Sequence, residues 1–115
     1  MHASISAAQQ AAKDAALAAI VERHPAAVEI EGELPKAGAT MGGEGFGFDQ
    51  AGHPEINQLA TVVIPKSEID FAPVRGRSIF IDGRGFLIDS LAGHLEADRH
   101  WLLRCRRAPG ADDED

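Results

Sequence analysis

The chain has 115 residues, 44% of them hydrophobic and 25% charged, which suits one domain with a modest core. A net charge of -7 argues against a protein built to wrap nucleic acid, where phosphate contacts favour a basic face. Cys105, the single cysteine, rules out an internal disulfide and a Cys-rich metal site and is compatible with a reducing compartment. No stretch approaches the ~20 apolar residues that span a bilayer, and residues 1–20 lack a basic segment before a continuous apolar run, so neither membrane span nor secretory signal is expected.

Residues 4–24 read as an alanine-rich helix, with Ser4 or Ser6 as N-cap and Pro25 stopping it after His24. Ile5, Ala12, Ala16, Ile20 and Val21 are expected on one stripe, with Leu17 beside it and Gln10, Lys13 and Asp14 elsewhere. So thin an apolar stripe predicts weak docking, and the polar face lacks the basic excess that a membrane-surface helix needs. Residues 27–33 alternate apolar and acidic, with Val28 and Ile30 on one side and Glu29 and Glu31 on the other, as in a strand with one wet face.

Residues 36–57 are glycine-rich and predict a long flexible loop, with short strand pieces at 39–41 and 44–48. Gly42, Gly43, Glu44, Phe46, Phe48, Asp49 and His53 in this loop are the candidate interface residues, because loops of this length in small domains are often binding segments. Residues 60–64 resume as a strand closed by Pro65, and 66–69 predict a single turn with Ser67 as cap. Phe71 and Val74 are expected to pack inward nearby.

Residues 78–91 form the clearest hairpin, with Ile79-Phe80-Ile81 and Phe86-Leu87-Ile88 flanking a turn over Asp82-Gly83-Arg84-Gly85. After a polar connection, 101–106 read as the last strand, with Trp101, Leu103 and Cys105 opposite Leu102, Arg104 and Arg106. Arg104, Arg106 and Arg107 then precede a tail over 109–115, whose acidic run predicts disorder. The domain reading is a helix over 4–24, a β domain over 26–108 with the loop over 36–57, and that tail. The fold class is mainly β: a small sandwich or barrel-like domain with one N-terminal helix.

No catalytic, cofactor or metal site is expected. Gly43-Glu44-Gly45-Phe46-Gly47 lacks the spacing of a dinucleotide fingerprint and the Lys-Ser/Thr of a P-loop. His53, His94 and His100 lie on separate segments and read as surface or turn histidines. Cys105 reads as a small core residue, its neighbouring arginines facing away. Asp82 and Asp89 fall at opposite ends of the hairpin, with Asp82 read as a solvated turn residue rather than half of an acid–base pair. With Trp101, five Phe and no Tyr, a base-stacking platform is poorly supported.

The succession Val62-Val63-Ile64-Pro65, Ser67-Glu68-Ile69, Arg75-Gly76, the hairpin Ile79-Phe80-Ile81-Asp82-Gly83 with Phe86-Leu87-Ile88, and Trp101-Leu102-Leu103 resembles the head–tail joining (tail attachment) proteins of lambda-like tailed phages. It covers residues 59–108, about half the chain, and departs from the family at Arg77, where relatives often carry an acidic residue, and in the glycine-rich loop. The resemblance implies a non-enzymatic phage or prophage protein, made in the host cytoplasm and built into the particle at the head–tail interface. Its partners would be head connector or portal proteins, tail tube or terminator proteins, and copies of itself: a monomer when free, a hexameric ring in the particle. Sequence-specific nucleic acid and membrane are not among them. An acidic channel lining would let DNA pass without sticking. Tail completion or a minor tail role is the neighbouring alternative, and a small β-domain enzyme or ligand-binding module is the alternative of another class.

Overall fold

The computed structural model describes residues 7–48 and 54–107. Helix α1 (Ala7–Arg23) leads into strands β1 (Pro25–Ile30), β2 (Lys36–Phe48) and β3 (Pro54–Pro65). A 3-10 turn (Lys66–Glu68) follows, then β4 (Ser78–Ile81), β5 (Arg84–Ala92) and β6 (His100–Arg107). The six strands close into an antiparallel barrel in the order β1-β2-β3-β6-β5-β4, with β1 bonded back to β4. Closure removes the exposed edges that an open sheet would carry around the wall.

Alternation places the core. Val28 and Ile30, Ala60, Val62 and Ile64, Ile79 and Ile81, Phe86 and Ile88, and Trp101, Leu103 and Cys105 all fill the interior. Val63 is also fully buried, but on the outside of the wall, where α1 covers it.

Several local expectations need correction. β1 ends at Ile30, because Glu31 (φ 48°) and Gly32 (φ 82°) form a two-residue turn closed by paired bonds between Ile30 and Glu33. Both turn residues take positive φ, the primed geometry that matches strand twist. The hairpin turn is likewise two residues, Asp82 (φ 51°) and Gly83 (φ 82°), with Arg84 already paired to Ile81 and Gly85 to Phe80. The 3-10 turn has Pro65 at its N-cap and no side-chain cap bond, so Ser67 does not cap it. Phe71 packs against the core, but Val74 is half exposed, and Pro73 is the buried residue there.

The helix stops as its sequence requires, with the His24 amide bonded to the Ile20 carbonyl before Pro25 enters β1. Its docking face differs from the predicted stripe. Leu17 and Val21 are buried, with Ile20 beside them, while Ala12 and Ala16 are exposed. Gln10, Lys13 and Asp14 lie partly covered on that inward side. The surface beneath explains this: the barrel wall is apolar at Val63 and Leu102 but polar at His100, and Asp98 of the connection before β6 adds a second polar group. Close approach is possible because Gly38 faces the helix, where an added Cβ would sit 2.5 Å from the Ile20 carbonyl oxygen. Ser4, Ser6, Ile5 and the acidic tail lie outside the described residues.

Candidate interaction surface

β2 and β3, at 13 and 12 residues, are much longer than β1 or β4, at 6 and 4. Their excess length forms a ribbon. β2 pairs with β1 only through Lys36, Ala37 and Gly38, and β3 pairs with β6 only from Leu59 onward. Residues 44–48 and 54–58 pair with each other and, among the described residues, with no third strand. At about 3.3 Å per residue, five residues carry the ribbon roughly 15 Å past the last shared pairing.

The expected strand pieces, 39–41 and 44–48, are two parts of this one strand. They are separated by a register shift between Met41 and Glu44 that contains Gly42 and Gly43. Within the stretch read as a long loop, 36–41, 44–48 and 54–57 have strand pairings. A shift of this kind bends and twists a ribbon away from its sheet. Gly42 is exposed, an added Cβ there would meet nothing within 4 Å, and neighbouring Met41 is 44% exposed.

The candidate interface residues fall onto this feature in order. Gly42 and Gly43 mark the shift, and Glu44, Phe46 and Phe48 stand at register positions opposite Gln58, Ile56 and Pro54. Asp49 and His53 lie outside the described residues. A two-stranded ribbon leaves backbone N–H and C=O groups unpaired along both edges, and it needs packing from elsewhere for full stability. Open edges of this kind suit strand addition.

Among the described residues, no group of three or more His, Cys, Asp and Glu side chains is placed to hold a metal ion. His94 is exposed and stacks edge-on against Trp101, with ring centroids 5.3 Å apart. The Lys66 ammonium lies 4.7 Å from the Trp101 ring and donates to the Leu95 carbonyl at 3.1 Å. Asp89 reaches Arg106 at 3.7 Å across exposed surface, a pair worth little in water. Asp82 is more than a solvated turn residue. Its carboxylate accepts from the Ala27 amide at 2.9 Å, and its own amide donates to the Ala27 carbonyl at 2.7 Å, which pins the β1–β4 seam.

Cys105 is buried in the barrel, where burial, with a smaller contribution from Asp89, pushes its thiol up to about 12. The thiolate is the reactive form. At mildly alkaline pH, alkylation of the folded protein should run roughly a thousandfold slower than that of the urea-unfolded chain. Comparable rates would show that the thiol is reached from solvent.

One polar cluster escaped the sequence reading. Asp98, in the connection before β6, is 5% exposed. It accepts from the Lys13 ammonium at 2.9 Å, from Gln10 at 3.4 Å and from the Leu95 amide at 3.2 Å. The Lys13 hydrogen bond is the main reason its carboxyl lies below the usual 3.8, against the opposing effect of burial. His100, expected at the surface, is 9% exposed on the outer wall under α1. Burial pushes its imidazole below the usual 6.5, with Asp14 opposing. The spacing of Gln10, Lys13, Leu17 and Val21 carries the signal of one helix face, but two of the four are polar and break an apolar-stripe criterion. No protein-family model matches this chain, and no curated protein matches it.

Proposed function

We propose that this protein is a structural component of tailed-phage or prophage particle assembly that joins the DNA-filled head to the tail. The observation that carries the reading is the β2–β3 ribbon, an extension from a small closed barrel that, among the described residues, pairs with no third strand. A compact barrel supplies a rigid body that can be repeated around a ring. A ribbon with two open edges supplies the reach to a neighbouring copy, to the portal or connector on one side, or to the tail terminator or tube on the other. The resemblance of residues 59–108 to the joining family supports the same assignment. The protein acts without catalysis, as a monomer before docking and as a hexameric ring in the particle. It is made in the host cytoplasm and retained at the head–tail interface.

The test is deletion of the gene from an inducible phage, with the released particles imaged. Separate filled heads and complete tails are expected, restored to joined particles by the wild-type chain. Tails of abnormal length would instead assign tail completion, and normal infectious particles would overturn both roles. Complementation with a chain in which residues 44–58 are replaced by a short turn should leave heads and tails apart while the purified barrel stays folded.

A further inference from the structure

Besides the close backbone approach at Gly38, two side-chain contacts hold α1 to the barrel. One is apolar, with Leu17, Val21 and Ile20 on Val63 and Leu102. The other is the polar clasp, in which Lys13 and Gln10 grip the buried Asp98. His100 lies under the helix beside this clasp, and its Nδ1 atom is buried without a hydrogen-bond partner. Only His24 separates the helix from β1, so the helix has a defined pivot.

We propose that α1 is a releasable clasp, latched by Lys13 on Asp98 over a neutral His100, and that protonation of His100 frees the helix to swing on His24 and uncover the Val63–Leu102 strip of the barrel wall. The inference does not rest on the assembly role.

An imidazolium must donate from both ring nitrogens, and in the docked state Nδ1 has no acceptor. The surrounding charges do not compensate. From α1, Asp14 and Glu22 face the site and Lys13 is engaged by Asp98. Lys36 of β2 shares a cleft of about 320 Å³ with His100. On the other side, a cleft of about 480 Å³ brings Lys66 of the 3-10 turn together with Glu96, Asp98 and Arg99 of the connection. Of these charges Asp14 favours the imidazolium, and burial outweighs it, so the docked form prefers the neutral ring.

The sign follows from linkage. His100 has its proton affinity lowered in the docked state, so the stabilisation it lends is complete above its ordinary 6.5 and is lost as pH falls from there toward its depressed value. Asp98 is also lowered, and its contribution persists until pH falls below its ordinary 3.8. Of these two groups only His100 responds on the near-neutral side of these limits, and uptake of one proton shifts the opening equilibrium by up to ~10-fold per pH unit.

Amide hydrogen exchange on the full chain, corrected for intrinsic rates, tests this at about pH 7.5 and about pH 5.5. Opening of α1 is expected to rise up to ~10-fold at the lower pH, while β5 and β6 keep their protection. His100→Gln should remove the pH dependence. Lys13→Ala, which leaves the barrel wall untouched, should raise α1 opening at both pH values and keep the dependence. Unchanged α1 protection, loss of α1 and barrel protection in step, or an equal pH response in His100→Gln would each overturn the proposal.

Discussion

Ile81→Asp is expected to abolish the folded state. Ile81 is fully buried, faces Val28 across the β1–β4 seam, and closes the hairpin opposite Arg84. Ile81 belongs to the apolar core cluster, and burying a carboxylate there costs more than ~4 kcal/mol. Domains of this size are held by about 5–15 kcal/mol in total, so most of the margin is removed. The backbone amide spectrum at neutral pH should collapse to the narrow dispersion of an unfolded chain. Arg84→Ala, at the exposed position paired with Ile81 across the same turn, should change stability by no more than about 0.5 kcal/mol. A native-like spectrum for Ile81→Asp would show that the wrong face of the hairpin has been placed in the core.

Gly38→Ala should act on the helix rather than on the barrel. The added methyl would lie 2.5 Å from the Ile20 carbonyl oxygen and 2.7 Å from the Val21 Cα, both backbone atoms that cannot rotate away. Either β2 bends or α1 lifts, and α1 is held by the smaller contact. Overpacking of this kind costs about 1–3 kcal/mol, comparable to what burial of one of the apolar side chains under the helix supplies. The expected outcome is loss of α1 amide protection and helical circular dichroism with barrel resonances retained. Full α1 protection in the variant would mean that the strand yields instead.

The two variants probe the parts of the fold that sequence conveys best and worst. Strands such as 79–81, 86–88 and 101–105 were legible because the wall is one layer thick, with a dry inner face and an outer face that is wet nearly everywhere, so burial repeats every second residue. Their pairing order was not legible, since alternation does not name a partner. β2 was legible only as two pieces, because glycines carry no facing preference and the register shift at Gly42-Gly43 breaks the period. The helix face was misread for a different reason. Its inward side must match Asp98, which is 85 residues from Lys13 in the chain, and no local pattern announces a partner that distant. In the sequence the candidate interface residues share only loop composition; the structure lines up those it describes on one strand of the ribbon, a relation that composition does not contain.

The seam between β1 and β4 bears on how the chain reaches this state. β2–β3 and β4–β5 are hairpins between neighbours and can form from local encounters. The β1–β4 pairing instead joins segments as far apart as Ala27 and Asp82, 55 residues, and the β3–β6 pairing also spans distant segments. Chain entropy places such contacts after the hairpins, and a topology dominated by them folds slowly for its size. Until β1 meets β4, both remain open strand edges, so the interval before circular closure is when a newly made chain is most exposed to pairing with another copy. The Asp82–Ala27 bonds sit at the end of that seam and lock the step that ends the hazard.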